Sequence, residues 1–173
     1  MGNTACGTTN MERTRLIEWA DPTITARAAP GRSGLEFLQA MVDGELPPPP
    51  IMQTLGARLE SVAKGEAVFT MTPTESHYNP IGSVHGGVYA TLLDSAAACA
   101  VHSMLAAGVA YTSLDLSVRF IGAISVDTGP VSCTGTVKHL GRRTALAEAV
   151  LTSHTGKLLA TATSNCLILN PAP

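Results

Sequence analysis

A long stretch with almost no charge constrains this chain more than any other feature of its sequence. Between Ser76 and Leu114 the only formally charged residue is Asp94. The apolar part of this stretch is rich in alanine and leucine, and its length and composition predict a helix over residues 84–106. The region Ala96–Ala110 is interrupted by polar residues and is too short and alanine-rich to span a bilayer. We therefore expect a long helix that is buried inside a folded domain.

The segments on either side of this helix have the patterns of β-strands. After the helix, every second residue from 114 to 120 is apolar, which predicts that one strand face carries Leu114, Leu116, Val118 and Phe120. One helix can cover only one face of a sheet of about six strands, so the predicted fold class is α+β rather than doubly wound, with the helix after the second strand. The predicted strands are residues 54–62, 66–73, 111–121, 129–139, 143–153 and 157–169.

The chain before the first strand is expected to contribute an arm and one further helix. Residues 1–33 are predicted to form an N-terminal arm that is loosely ordered or contains a short helix near Met11–Trp19, whereas residues 34–173 form a single domain. The run Pro47–Pro50 cannot be helix or central strand, so we interpret it as a connector. A helix over residues 34–44 is predicted to bury one face made of Leu35, Leu38, Met41 and Val42.

Charge and cysteine content exclude several classes of function. Eleven Lys and Arg against thirteen Asp and Glu give a net charge of −2, so the chain lacks the positive surplus that nucleic-acid binding requires. The four cysteines are far apart, with neither the spacing of a zinc site nor that of a disulfide framework. The N-terminal residues contain no continuous apolar core of a secretory signal. We expect a cytoplasmic protein with reduced thiols.

The start of the predicted helix and its one carboxylate are the groups best suited to chemistry. Gly86 and Gly87 open the helix, where free backbone N–H groups can bind an oxyanion or a polarised carbonyl. The alternative is that these glycines only allow tight packing of the helix end. Asp94 lies among small apolar residues, where a carboxylate must be paired, protonated or in use. For Asp94 the alternative is a place on an exposed helix face.

The spacing of these groups limits how they could act together. Gly86 and Asp94 are eight positions apart in the sequence, which is about 12 Å along a helix. One reacting carbonyl cannot lie within hydrogen-bond reach of both groups on the same helix. If both serve one reaction, they must come from two subunits whose helices run antiparallel across a two-fold axis. A catalytic role for both therefore predicts a homodimer with two shared sites.

A longer motif surrounds these groups. It reads His77-x-Asn79-Pro80-x-Gly82-x-Val84-His85-Gly86-Gly87, then Thr91-Leu92-x-Asp94 and, after the helix, Thr112-x-Leu114-Asp115-Leu116. This motif, within roughly residues 50–169, resembles that of the PaaI-like thioesterases of the hotdog-fold superfamily. The resemblance implies a long helix wrapped by an antiparallel sheet, which dimerises into a continuous sheet and often forms homotetramers. It implies an acyl-coenzyme A substrate, hydrolysed to free acid and coenzyme A without a metal or cofactor.

The resemblance also assigns roles to individual residues. Asp94 matches the catalytic carboxylate, which acts as general base or nucleophile, and Gly86 matches the residue whose backbone N–H polarises the thioester carbonyl. Asn79 matches a side chain that helps to place the carbonyl or the water. Ser113 matches a small polar residue that contacts the attacking water, and His85 matches a positioning histidine of the motif. Further substrate-binding residues are expected to be His77, Gly87 and Thr91.

One departure from the family pattern concerns the phosphates of coenzyme A. Relatives often carry an Arg-Pro pair after the aromatic residue that ends the strand following the helix, whereas here Phe120 precedes Ile121-Gly122-Ala123. Arg142 and Arg143 in a predicted turn, with Lys138 nearby, could bind the phosphates instead. The alternative for these arginines is plain solvated charge.

Two other functions are compatible with the same fold. A hotdog-fold enoyl-CoA hydratase or dehydratase needs a histidine as well as an acid, and His85 is the only nearby candidate. A non-catalytic acyl-CoA-binding protein would bind its ligand without releasing thiol. Against this second alternative stands Asp94, because binding alone does not need a costly carboxylate in an otherwise uncharged segment.

Overall fold

The described part of the chain, residues 12–170 of a computed structural model, consists of one long helix wrapped by an antiparallel sheet. Its α-helices are α1 Pro22–Ala28, α2 Gly34–Val42, α3 Pro50–Leu55 and α4 Gly86–His102. Its strands are β1 Ala57–Ala63, β2 Glu66–Met71, β3 Ala110–Ser113, β4 Ser117–Phe120, β5 Val131–Leu140, β6 Thr144–Ser153 and β7 Leu158–Leu169. The predicted α+β class, and the place of the long helix after the second strand, are confirmed.

The strands form a single seven-stranded sheet with the order β1-β2-β5-β6-β7-β3, in which β4 also pairs with β7. Every pairing between these strands is antiparallel. Helix α4 packs against the inner face of this sheet. The short strands β3 and β4 lie at one edge, and this edge runs beside α4 over most of the helix length. The sheet therefore encloses α4 on one side and leaves its other side open.

The helix lies unusually close to the middle of the sheet because the facing side chains are small. Ala96, Ala97 and Ala100 of α4 are completely buried. At Gly135 of β5, an added Cβ would lie only 2.1 Å from the backbone oxygen of Ala96. Only glycine fits at that position, since two non-bonded heavy atoms cannot approach so closely. The low aromatic content of 4% thus reflects a core with little room for rings.

The prediction of one strand over residues 111–121 is wrong in one respect, because the segment forms two strands. Odd-numbered residues face the helix in the first strand, and even-numbered residues face it in the second. Ser113 pairs with residue 166 and Ser117 with residue 163 of β7, so three residues stand opposite two. Such a bulge moves subsequent side chains to the other face. Leu114, which the prediction placed on the buried face, is therefore 57% exposed. Phe120 keeps the alternation of β4 and faces the start of α4, although 59% of its surface is exposed. The split also explains why the sheet has seven strands rather than about six.

The N-terminal arm contains a helix, but not where the sequence pattern placed it. Residues 12–20 have no regular structure, and Met11 lies outside the described residues. Helix α1 begins instead at Pro22, after Asp21, whose side chain accepts a hydrogen bond from the N–H of Thr23 at 2.9 Å. An aspartate cap followed by a proline at the first helical position is a helix-start signal that could have been used.

Two further boundaries differ from the prediction. Pro50 is not part of a plain connector, since it opens the short helix α3, which ends at Gly56 with a φ of 64°. Residues 54–55 belong to this helix, so β1 begins at Ala57.

In α2 the buried large side chains are Phe37 and Leu38, whereas the predicted buried face contained Leu35 and omitted Phe37.

Candidate active site

The loop between β2 and α4 is closed by the side chain of Asn79. Its Oδ1 accepts hydrogen bonds from the N–H groups of Ile81 at 3.0 Å and Ser83 at 3.3 Å. Its Nδ2 donates to the Ser83 hydroxyl at 3.1 Å. An asparagine that bonds the backbone two residues ahead stabilises a turn. The structure thus places Asn79 near the start of α4, with its amide engaged in the loop rather than free.

His77 is buried beneath the same loop, with only 5% of its surface exposed. Its Nδ1 accepts a hydrogen bond from the N–H of Thr74 at 3.0 Å, and its carbonyl accepts one from the N–H of His85 at 2.8 Å. Burial, reinforced by the charge of Arg15, lowers the pKa of His77, although the backbone of Leu55 opposes this shift. The ring is therefore a neutral support for the loop, and it is not on the surface of the chain.

His85 caps the start of α4 and leaves one backbone donor free. Its Nδ1 accepts a hydrogen bond from the N–H of Gly87 at 2.9 Å, so the proton of the neutral ring is on Nε2. The N–H of Gly86 has no acceptor within hydrogen-bond distance among residues 12–170. The first N–H groups of a helix lie at the positive end of its dipole. Gly86 therefore offers a donor suited to an anionic or polarised oxygen.

Gly87 and Thr91 are both engaged within the first turns of α4. The N–H of Gly87 is bound by the cap, and its carbonyl accepts a hydrogen bond from the Thr91 hydroxyl at 2.9 Å. The Gly87 N–H and the Thr91 hydroxyl were expected to bind the substrate. Both are instead engaged in hydrogen bonds within the first turns of the helix. These hydrogen bonds do not point to direct substrate binding, which stays a prediction for both residues.

Two aromatic residues that were not predicted from the sequence form a wall beside Gly86. The Phe120 ring would lie 3.2 Å from a Cβ added at Gly86. The Tyr89 ring packs edge-on against it, with centroids 5.6 Å apart, and its hydroxyl donates to the Gly122 carbonyl at 3.0 Å. Burial raises the pKa of Tyr89, so this phenol stays protonated. A cavity of about 280 Å³ lies against this wall.

Asp94 is half-buried on the side of α4 that the sheet leaves open. Its Oδ1 accepts a hydrogen bond from the hydroxyl of Ser113, the last residue of β3, at 3.0 Å. Ala90 and Ala98, one turn away on either side, are also half-buried. The carboxylate thus has the hydrogen-bonding partner that its apolar surroundings require. Small neighbours leave space beside it for another molecule.

The free N–H and the carboxylate lie at different places along the chain's own sheet. Phe120 contacts Gly86, and Ser113 contacts Asp94. Gly86 and Asp94 are eight residues apart on the continuous helix α4, which is about 12 Å along its axis. Within a single chain, a carbonyl bound at Gly86 is therefore out of reach of Asp94.

Arg142 and Arg143 occupy the turn between β5 and β6 with exposed side chains. In the described part of the chain neither forms an ion pair. One residue of β7 pairs on one side with Ser113 of β3 and on the other side with the β6 residue that follows Arg143 by two positions. Both arginines therefore lie at the end of the sheet that holds the Asp94 carboxylate. Lys138, by contrast, is paired with Glu148 at 3.0 Å.

Residues 12–170 contain neither a group of metal ligands nor a helix that could span a membrane. No three side chains of the His, Cys, Asp and Glu types are grouped there as metal ligands. None of the helices in this range combines the length and the apolarity needed to cross a membrane. The groups that the site does offer are a hydrogen-bonded carboxylate and a free N–H at a helix start.

Several known proteins are similar to this chain in sequence and in fold. Residues 81–160 match the family model described as Thioesterase superfamily. The 1,4-dihydroxy-2-naphthoyl-CoA hydrolase of Listeria monocytogenes serotype 1/2a (strain 10403S) is 30% identical over 109 residues, which are 63% of this chain and 87% of that protein. The chain belongs to the thioesterase superfamily. Human acyl-coenzyme A thioesterase 13 is 31% identical to this thioesterase over 103 residues, 59% of this chain and 72% of the human protein.

Solved structures confirm the hotdog fold of this thioesterase. The Escherichia coli PaaI protein from the phenylacetic acid degradation operon superposes with a TM-score of 0.69 at 24% identity, over 81% of this chain and 96% of its own. A putative thioesterase from Ralstonia eutropha JMP134, described as phenylacetic acid degradation-related, gives a TM-score of 0.68 at 29% identity, over 75% and 98%. The chain is a PaaI-like thioesterase, and its reaction class is thioester hydrolysis.

Proposed function

We propose that this thioesterase hydrolyses an acyl-coenzyme A thioester to a free acid and coenzyme A. The observation that carries the proposal is the half-buried Asp94 carboxylate, bonded to the Ser113 hydroxyl at 3.0 Å, on the same helix that begins with the free N–H of Gly86. Two relatives support the coenzyme A part of the substrate, since their names describe a naphthoyl-CoA hydrolase and an acyl-coenzyme A thioesterase.

Gly86 is the electrophilic group in this proposal. The carbonyl oxygen of the thioester accepts a hydrogen bond from the Gly86 N–H at the positive end of α4. Negative charge grows on this oxygen as the carbonyl carbon is attacked, so the bond becomes stronger in the transition state than in the ground state. An interaction of that kind lowers the barrier instead of merely tightening substrate binding.

Asp94 supplies the second half of the reaction by one of two routes. As a general base it takes a proton from a water bound beside Ser113, and the water oxygen attacks the carbonyl carbon. The C–S bond then breaks, and the coenzyme A sulfur receives the proton from Asp94. As a nucleophile, an Asp94 oxygen attacks directly and expels the thiolate, and water then hydrolyses the resulting anhydride. Ser113 orients the carboxylate in both routes.

Two copies of the chain are needed to bring these groups onto one thioester. The outer edge of β3 and β4 is unpaired in the described chain, and Leu114, Phe120 and Ile121 beside it are 57%, 59% and 55% exposed. An apolar strand edge of this kind is covered in stable proteins. Antiparallel pairing of two such edges around a two-fold axis would bring Asp94 of one subunit towards Gly86 of the other. We expect this homodimer to associate further into a homotetramer.

The phosphates of coenzyme A would be held by Arg142 and Arg143. Their guanidinium groups are exposed and lie at the carboxylate end of the sheet, where the shared site would form. Arginine binds phosphate oxygens through two parallel N–H donors. This assignment places the nucleotide outside the apolar part of the site, in contact with solvent.

Replacement of Asp94 tests the proposal. Asp94→Asn keeps the shape and an acceptor for Ser113 but removes the base, so we expect kcat for acyl-CoA hydrolysis to fall by about a thousandfold, as thiol release measures, with coenzyme A affinity unchanged. Asp115→Asn is the matched control. Asp115 accepts hydrogen bonds from the backbone and side chain of Asn165, so its loss should lower stability and spare kcat. Wild-type turnover in Asp94→Asn would exclude the role.

A further inference from the structure

A tyrosine lies next to the Asp94–Ser113 pair on the same strand. Tyr111 and Ser113 are both half-buried in β3, while Thr112 between them is exposed, so the first two side chains face α4. Two residues of an antiparallel strand span about 7 Å. Starting from the hydrogen bond between Ser113 and Asp94, the next side chain along the strand is therefore the ring of Tyr111.

Helix α4, which faces this strand, carries small side chains between Asp94 and the level of the Tyr111 ring. On the open side of α4, Asp94 is followed by the small side chains of Ala98 and Cys99, and then by His102. The His102 ring lies against the ring of Tyr111, with centroids 5.0 Å apart. Beside the carboxylate this face of α4 therefore carries only small side chains, and the His102 and Tyr111 rings are the first bulky groups beyond them.

The ring of Tyr111 is held firmly in this position. His102 packs on its other side against Phe37 of α2, with centroids 5.4 Å apart. Helix α2 is itself fixed to the end of α4, because the N–H of Gly34 donates to the carbonyl of Leu105 at 3.0 Å. Three rings that pack on one another at tilted angles, one of them fixed on α2, cannot swing aside as a single exposed side chain could.

The wall that these rings form is uncharged. Burial raises the pKa of Tyr111 well above its ordinary value, and the nearby Cys99, Cys166 and Asp94 raise it further. Burial likewise raises the pKa of Cys99 to about 12 and lowers that of His102. All three side chains are neutral near pH 7, so the end of the space suits a hydrocarbon chain rather than a charged group.

We propose that Tyr111 closes the acyl end of the active site and restricts the enzyme to short-chain acyl-CoA substrates. This inference rests on the proposed function, because it takes Asp94 to mark the position of the thioester. With the ring about 7 Å from Ser113 along the strand, a chain of a few carbons fits between them, and a longer chain meets the aromatic wall. Tyr111 is thus a specificity-determining residue and not part of the bond-breaking machinery.

A series of straight-chain acyl-CoAs from acetyl to decanoyl tests the inference. In the wild-type enzyme we expect kcat/KM to fall at least about tenfold between hexanoyl-CoA and decanoyl-CoA, and in Tyr111→Ala we expect the decanoyl to hexanoyl ratio to rise by about tenfold. Tyr111→Phe keeps the ring and should keep the wild-type ratio. Thr112→Ala, one residue away on the outer face, is the matched control and should also keep it.

Two results would overturn the inference. One is a wild-type enzyme that hydrolyses decanoyl-CoA as efficiently as hexanoyl-CoA, and the other is an unchanged ratio in Tyr111→Ala. If Tyr111→Ala is poorly folded, Tyr111→Leu shortens the wall with less loss of packing and gives the same comparison. Binding of S-butyl- and S-decyl-CoA thioethers, which cannot be hydrolysed, repeats the test without turnover. Failure of the Asp94 assignment would therefore leave this measurement valid.

Discussion

At the scale of single residues, His85 is best understood through the hydrogen bond that it accepts. Its Nδ1 takes the N–H of Gly87, and this choice leaves the N–H of Gly86 as the free donor at the helix start. His85 is therefore a positioning residue in the proposed mechanism. It has no need to exchange a proton with the substrate.

Substitution of His85 separates capping from proton transfer. Asparagine is among the best cap residues and retains an acceptor for the Gly87 N–H, so His85→Asn should keep kcat within about threefold of wild type. His85→Ala loses the cap, which should cost about 1 kcal/mol of stability together with a larger loss of kcat. Thermal unfolding and thiol release measure the two effects. A hundredfold loss of kcat in a fully stable His85→Asn would show that the ring transfers a proton.

Residues whose role depends on sequence spacing could be predicted, and residues whose role depends on partners could not. The lone charge of Asp94 and the glycine of the helix start are visible in the sequence. The amide of Asn79 and the hydroxyl of Thr91 belong to the same motif, but their local backbone partners become apparent only in three dimensions. The rings of Tyr111 and Phe120 reach the site through contacts between distant segments, which no local pattern encodes.

At the scale of elements, the contact between α4 and β5 depends on the absence of one side chain. A methyl group at Gly135 would overlap the backbone of Ala96, so the helix would have to move away from the sheet along its buried alanine face. The atoms that the methyl group would meet belong to the backbone of α4, which cannot move aside as a flexible side chain could.

This contact predicts a large loss of stability for a small substitution. We expect Gly135→Ala to destabilise the fold by about 3 kcal/mol or more, as a lowered midpoint of denaturant unfolding. Gly31→Ala is the matched control, since no atom lies within 4 Å of a Cβ built there. A midpoint for Gly135→Ala equal to that of the control would mean that helix and sheet are less tightly fitted than described.

Most elements could be predicted from their periodicity, but the interruptions could not. The long helix and the three C-terminal strands agree with the predicted ranges to within a few residues. The edge strand 110–120 hides a bulge, because alternating side chains give no sign of a single extra residue. Helix α3 lies between Pro49 and Gly56 and could not be predicted, because its six residues are too few to show a hydrophobic period.

At the scale of the whole molecule, the long uncharged stretch has two structural causes. The half of α4 that carries Leu92 and Leu93 is buried by the sheet of its own chain. The other half, which carries Asp94, is left open together with the unpaired edge of β3 and β4. A second subunit that covers this open side would complete the burial and unite Asp94 with Gly86 in one site. We therefore expect each active site to be shared between two subunits.

A variant that removes the Gly86 donor can test whether the site is shared between subunits. Proline is favoured at the first position of a helix, and His85 before it has φ −63° and ψ 139°, a conformation that suits a residue preceding proline. Gly86→Pro thus removes the N–H while keeping the helix start. Gly86→Ala brings a similar carbon close to Phe120 but retains the N–H, so it controls for that contact.

The most direct measurement is the activity of dimers formed between Gly86→Pro and Asp94→Asn subunits. Each variant alone should be inactive, because every shared site lacks one of its two groups. A mixed dimer contains one site with both groups intact, so co-refolding equal amounts should restore about a quarter of the wild-type activity. Mixed dimers that form, as two affinity tags can verify, and yet remain inactive would contradict a site shared between subunits.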